Sequence, residues 1–251
     1  MATAIIGTSG FSYKHWRYPT FYPKGVPSGQ WLAHYSQVFR TVELNSTFYR
    51  LPSTKMLTRW RTVTPPDFTF AVKVSRLITH ARRLAACEEL LLNFLQRVAL
   101  LESKLGPLLL QLPPNFALDL PRLSQLLDIL NSQSVVSAPK VVLEVRHASW
   151  LVPAMFDRLR QSNVALCWAD GAQLTVAAPT TADFLYLRRH GPGGTMDQGY
   201  PLEQLQSESD RLCHWLSLGY DAYVYFNNDG GGYAVKNAQQ LQQHLTPLTR
   251  P

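Results

Sequence analysis

The stretch Val141-Val142-Leu143-Glu144-Val145-Arg146 decides how the chain is read. Its valines and leucine favour an extended strand, and period-two alternation puts Glu144 and Arg146 on one face, opposite Leu143 and Val145. A strand that is apolar on both faces until its end belongs in a parallel sheet covered by helices. The same grammar recurs elsewhere. In Thr41-Val42-Glu43-Leu44-Asn45, Glu43 and Asn45 share a face; in Phe70-Ala71-Val72-Lys73-Val74-Ser75, Lys73 sides with Ala71 and Ser75.

Working outward, eight strands are expected: Ala4–Thr8, Thr41–Asn45, Phe68–Val74, Leu108–Leu112, Lys140–Val145, Ala165–Ala169, Phe184–Arg188 and Ala222–Phe226. Helical stripes lie between them: Ser28–Phe39 with Ser28 as its cap, Ser53–Val63, Leu84–Leu105, Leu120–Leu130, Pro153–Gln161, Leu202–Leu218 and Tyr233–Leu245. Strand–helix alternation implies a parallel α/β sheet, and eight strands point to a TIM (β/α)8 barrel. An open doubly wound sheet is the alternative, weakened because no GxGxxG follows the first strand. Gly171–Asp183, with Pro179, Thr180 and Thr181, carries no helical pattern, so the helix between strands six and seven is expected to be reduced or missing. The reading is one barrel domain over residues 1–251.

Composition sets the bounds. With 251 residues, 46% of them hydrophobic and only 16% charged, the chain can bury a large core and is not of the disordered class. The apolar run Ala4-Ile5-Ile6 is too short for a signal peptide, and no segment has the roughly 20 apolar residues of a membrane span. Cys87, Cys167 and Cys213 are widely spaced and form no metal motif, which predicts reduced thiols and a cytoplasmic setting. The net charge of +7 favours anionic partners, although no arginine-rich tail is present.

In a barrel of this type the active site lies at the C-terminal ends of the strands. Parity brings Glu43, Asn45, Lys73, Gln111, Glu144 and Arg146 there; Asp170 closes the sixth strand, Arg188 and His190 the seventh, and Asn227, Asn228 and Asp229 the eighth. A charge in an apolar strand is costly unless paired or solvated, so Glu43–Lys73 and Glu144–Arg146 are also readable as structural ion pairs. Collected at one end, these residues are expected to form a site. Glu43, Lys73, Glu144 and Asp170 are the catalytic candidates, with Lys73 as base or Schiff-base former and a carboxylate as acid, or Lys73 equally as a charged anchor for a substrate carboxylate or phosphate.

The loops extend the set. Gly7-Thr8-Ser9-Gly10-Phe11-Ser12-Tyr13 lets backbone and Ser9 approach a ligand, with Tyr13 and Trp16 as stacking platforms. Trp150 is a further platform, and His80 is placed where it can face a ligand. The glycine-rich runs after strands seven and eight, the second leading into a helix beside Arg188, predict an anion site. No metal ligands are assigned. Glu43, Glu144, Asp170, Asp229, His147 and His190 are ligand types for a divalent metal, but Lys73, Arg146 and Arg188 are expected to share the same mouth and compete with a cation. A metal is therefore not favoured, and no other cofactor is implied.

Several of these runs also carry a family resemblance. Ile6-Gly7-Thr8-Ser9-Gly10-Phe11-Ser12-Tyr13-Lys14-His15-Trp16, Val42-Glu43-Leu44-Asn45-Ser46-Thr47-Phe48-Tyr49-Arg50-Leu51-Pro52, Phe70-Ala71-Val72-Lys73 with Thr79-His80, Gln111-Leu112-Pro113-Pro114, Glu144-Val145-Arg146-His147 with Ser149-Trp150, Arg188 with His190-Gly191, and Tyr225-Phe226-Asn227-Asn228 resemble the YecE-like family, domain of unknown function 72. The resemblance covers nearly the whole chain and implies a TIM-barrel fold. It implies no reaction.

The functional expectation is an enzyme of acid–base or hydrolytic chemistry acting on a small anionic, phosphate-bearing substrate at the barrel mouth. Ser9, Tyr13, Trp16, Asn45, His80, Gln111, Arg146, Trp150, Arg188, His190, Asn227 and Asn228 would bind that substrate. One alternative is a nucleic-acid-binding or phosphodiester-cleaving protein, related only in fold to endonuclease IV-type barrels. Another is a non-catalytic ligand-binding barrel.

Overall fold

Burial explains why the strands form where they do. In a computed structural model describing residues 2–171 and 179–245, most apolar strand residues are buried on both faces, as in Thr41–Leu44 and Val141–Glu144, while Ala4, Ile5 and Leu105 at strand starts are half-buried. The chain divides into two compact units, Met1–Glu43 with Trp168–Val176 and Asp183–Pro251, and Leu44–Cys167 with Ala177–Ala182.

In the first unit lie β1 (Ala4–Ser9), α1 (Trp31–Val38), β2 (Thr41–Leu44, as far as Glu43), β7 (Trp168–Asp170), β8 (Phe184–Arg189), α7 (Leu202–Ser217), β9 (Asp221–Phe226) and α8 (Tyr233–Leu245). Its strands pair in parallel in the order β2–β1–β9–β8–β7. The second unit holds α2 (Ser46–Tyr49), α3 (Thr54–Val63), β3 (Thr69–Lys73), α4 (Glu88–Val98), β4 (Leu105–Gln111), α5 (Leu120–Ser132), β5 (Val141–Glu144), α6 (Pro153–Gln161) and β6 (Val164–Leu166). Here the parallel order is β3–β4–β5–β6. This succession of parallel strands and helices is that of a TIM-type α/β barrel.

Four details differ from the sequence reading. The expected sixth strand is broken at Cys167, because β6 bonds to β5 whereas β7 bonds to β8. Ser28 does not cap a helix: Ser28–Gln30 is a 3-10 turn and α1 begins at Trp31 without a side-chain cap. The fourth helix starts at Glu88, not Leu84, since Arg83, Leu84 and Ala86 take left-handed φ angles of 47°, 66° and 46° that no α-helix accepts. A one-turn helix, α2, follows β2 where none was expected. The expected irregular link after Asp170 falls mostly on residues 172–178, outside the described residues.

Local chemistry fixes the other ends. Ser53 caps α3 by accepting from Met56 N at 3.2 Å, and Asp119 caps α5 from Arg122 N at 3.1 Å. The buried Lys104 ammonium closes the other end of α3 by donating to Arg61 O and Thr64 O, both at 2.6 Å. Gly7 lets β1 and β2 approach: a Cβ there would lie 2.3 Å from Thr41 O.

Candidate functional site

In the first unit, Glu43 of β2 is fully buried, at 0% exposure. It accepts from Ser9 Oγ at 2.6 Å, Tyr186 Oη at 2.7 Å, and Arg188 Nε and Nη2 at 3.0 and 2.8 Å. Burial pushes its pKa up, but Arg188 and the three donor side chains outweigh that and leave it below the ordinary value. Ser9, Glu43 and Arg188 are thus brought together as expected. The expected acid–base role for Glu43 needs correcting, because a saturated, ionised carboxylate is an anchor for Arg188. The partner of Glu43 is this arginine.

Asp170 ends β7 and accepts from His190 N at 2.6 Å and Tyr200 Oη at 2.5 Å, while Tyr200 Oη accepts from Gly191 N. His190 Nδ1 lies 3.0 Å from Asn227 Nδ2. Asn228 is buried and its Nδ2 donates to Gln198 O and Asn237 Oδ1, both at 2.9 Å, which ties the loop before α7 to α8. The anion site expected at the glycine-rich loops is not built as read. Gly194 N, Gly230 N and Gly232 N donate to Gly191 O, Met196 O and Asp229 O, and Arg188 is buried against Glu43.

The loop after β1 holds what sequence reasoning missed. Trp16 is 0% exposed, so it is core and not a stacking platform; its indole Nε1 donates to Asp229 Oδ1 at 2.5 Å. His15 Nε2 lies 2.9 Å from Asp229 Oδ2. Burial, against the bonds from Trp16 and His15, pushes the Asp229 pKa up to about 6. Tyr13 packs on both neighbours, 5.4 Å from the His15 ring and 4.9 Å from that of Trp16, and donates to Ser9 O at 2.5 Å. Burial first, then Asp229 and Glu43, raises its phenol well above the ordinary value. His15 stood inside a quoted motif and Asp229 at a strand end; the signal for each was present, but not their pairing.

In the second unit, Lys73 ends β3 with Nζ 4.3 Å from the Phe48 ring centroid. His80 sits in a π-helical turn, Leu77–Ala81, its ring edge-on to Phe48 at 4.9 Å and its Nδ1 2.9 Å from Thr79 Oγ1. Burial, then Lys73, Arg76 and Arg146, push its pKa down to about 4 against the opposing pull of Glu144. Glu144 is buried and takes Arg146 Nε and Nη2 on one oxygen, both at 2.8 Å, so the expected pair forms. Gln111 is buried and donates to Leu112 O, and Asn45 Oδ1 is buried without a hydrogen-bond partner among the described residues. Trp150 is fully buried, its indole donating to Phe116 O at 2.7 Å, which corrects its reading as a platform.

Among the described residues, no group of three or more His, Cys, Asp or Glu side chains is placed to hold a metal ion, and no helix is long and apolar enough to cross a membrane.

The profile of the family described as "Protein of unknown function DUF72" matches residues 5–250. The UPF0759 protein YecE of Escherichia coli strain K12 is 35% identical over 133 residues, 53% of this chain and 46% of that relative, so the match spans about half of the relative's length. The UPF0759 protein YunF of Bacillus subtilis is 25% identical over 257 residues, covering 90% of each. A solved DUF72 family protein of Thermotoga maritima, 30% identical, superposes with a TM-score of 0.83 over 97% of this chain and 99% of its own. One from Enterococcus faecalis, 23% identical with a TM-score of 0.80 over 97% and 95%, shares the fold.

Proposed function

This chain belongs to the DUF72 family, and from that footing we propose that it binds and transforms an anionic, phosphate-bearing substrate through the strand ends of its second unit. One observation carries the reading: Lys73, Arg76 and Arg146 all act on His80, while the nearby carboxylate, Glu144, is committed to Arg146. An imidazole held neutral by burial, beside Lys73 and Arg76 and with Arg146 balanced by Glu144, is a hydrogen-bonding group in a field of net positive sign, which suits a phosphoryl oxygen better than a cation. Phe48 supports the arrangement, since Lys73 and His80 both lie against its ring.

Calorimetric titration with inorganic phosphate and pyrophosphate tests this. Saturable binding is expected, weakened about tenfold or more by Lys73→Met or Arg146→Gln, the loss of one charge-assisted contact. No saturable binding, or unchanged affinity in both variants, overturns the reading. A parallel titration with single- and double-stranded DNA separates the polymer case, which would weaken with salt at a log–log slope of roughly −0.9 per duplex phosphate neutralised. Binding to DNA alone, indifferent to Lys73→Met, also overturns it.

A further inference from the structure

We infer that the ligand of the cationic site in the second unit carries an aromatic ring beside its phosphate, and that Tyr49 holds that ring; the inference rests on the anionic-substrate reading above. Tyr49 is the last residue of α2 and is 73% exposed. Its hydroxyl forms no hydrogen bond among the described residues, and its ring meets that of Phe48 edge-on at 4.9 Å. A single apolar side chain in water is ordinary and by itself means nothing. Tyr18, 66% exposed in the first unit, is of that kind, with no ring contact among the described residues.

Tyr49 differs in its place and in its stiffness. Phe48 is a hub: Lys73 Nζ lies 4.3 Å from its ring centroid, and the His80 ring meets it edge-on at 4.9 Å. Tyr49 leans on the same ring, so ammonium, imidazole and exposed phenol are all immediate neighbours of Phe48. The short helix that carries the two aromatics is tied down. Thr47 Oγ1 lies within hydrogen-bond distance of Leu44 O, at 2.8 Å, and of Lys73 O, at 2.6 Å. The second contact fastens α2 to the backbone of the residue whose ammonium Phe48 faces. Phe48 itself is 8% exposed and packed in place. A ring mounted on such a base loses little freedom when another ring stacks on it, which is what makes an aromatic an effective binding surface.

The class of ligand follows from this arrangement. Phosphate oxygens answer to the cations, and a flat ring answers to Tyr49. Because both surfaces share the Phe48 hub, the link between phosphate and ring must be short. A monoester of phosphate with a phenol or a flat heterocyclic alcohol has that form. Stacked or tilted ring pairs settle with centroids about 4.5–7 Å apart, which leaves the ester oxygen on the side of the cations. The two halves of such a ligand are held by different forces. Charge attraction to Lys73 and its neighbours is screened by salt, whereas contact between two uncharged rings is not. The ring therefore adds a preference that is independent of ionic strength, and Tyr49 is the residue that sets it.

Calorimetric titration of the full chain with phenyl phosphate and methyl phosphate, two monoesters of equal charge, tests the ring subsite. Phenyl phosphate should bind about tenfold more tightly, the usual worth of one stacked ring. Raising the salt should weaken both esters while leaving their ratio in place. Tyr49→Ala should bring the ratio to within about twofold of one, and Tyr49→Phe should keep it at the wild-type value. Tyr49→Gln, with its fold checked by circular dichroism, replaces the alanine variant if that variant does not fold. Equal affinity for the two esters, beside saturable binding of inorganic phosphate, overturns the ring subsite and leaves the anion reading in place. So does a ratio unmoved by Tyr49→Ala, including a proportional loss of both affinities, which marks a structural residue. A ratio lost in Tyr49→Phe as well assigns the preference to the hydroxyl and overturns stacking. Failure of the wild type to bind either ester or inorganic phosphate overturns the two readings together.

Discussion

Replacing Asp229 with Asn should stabilise the fold at neutral pH, the reverse of what removal of a buried, hydrogen-bonded charge does to a structural residue. Burial raises this carboxyl from 3.8 to about 6 in the folded chain. Between those values the folded state keeps a proton that the unfolded chain has released, so stability declines as pH rises through the window. The penalty is complete above about pH 6 and vanishes below the unfolded value. A shift of about 2 units at 1.36 kcal/mol each amounts to about 3 kcal/mol of destabilisation at pH 7. Asparagine imitates the protonated form: it keeps an oxygen for the Trp16 indole and sheds the charge. Urea denaturation of both proteins at pH 7 and pH 4 measures this. The variant should be the more stable by about 3 kcal/mol at pH 7, with the gap shrinking below about 1 kcal/mol at pH 4. A variant less stable than wild type at pH 7, or a gap indifferent to pH, would show that the carboxylate is a net structural asset and refute the reasoning.

Glu43 should behave in the opposite sense. Glu43→Gln strips the buried Arg188 of its carboxylate and should cost about 3–5 kcal/mol in denaturant titrations, whereas the double replacement Glu43→Leu with Arg188→Met should recover most of it. Because its folded pKa is lowered, the stabilisation from Glu43 should be present above the ordinary value of 4.5 and lost only as the pH falls through the lower folded value. Gly7→Ala drives a Cβ to within 2.3 Å of the Thr41 carbonyl oxygen. It should lower stability by about 1–3 kcal/mol or more, read as a drop in Tm; an unchanged Tm would mean that β1 and β2 separate freely.

Much of the fold was legible because parallel strands buried on both faces leave apolar runs that end abruptly, as Val141–Glu144 does before Arg146. Pro153–Gln161 and Tyr233–Leu245 came out with the observed limits, one opened by proline at its first position and the other preceded by three glycines. The break at Cys167 was not legible: Ala165–Ala169 is uniformly apolar, and the choice of β5 or β8 as partner is made by long-range pairing that a local run does not encode. The late start of α4 was hidden for a related reason. Arg83, Leu84 and Ala86 adopt left-handed backbone without a glycine or asparagine to announce it.

The candidate site was legible as a set of strand ends but not as chemistry, and the difference lies in saturation. Alternation identifies which side chains emerge from a strand; it says nothing about how many donors meet each one. Glu43 and Asp229 read alike in the sequence, as acids closing apolar strands, yet one is surrounded by a guanidinium, a phenol and a hydroxyl and the other by an indole and an imidazole. Their pKa values accordingly move in opposite directions in comparably buried places. The residue that decides the second case, Trp16, is 213 positions from Asp229 along the chain and was read as a ligand platform because an aromatic in a loop suggests one. Buried instead, it holds one oxygen of Asp229 and leaves the other to His15. Which acid is held ionised and which is pushed toward its protonated form thus belongs to the folded neighbourhood and not to any motif.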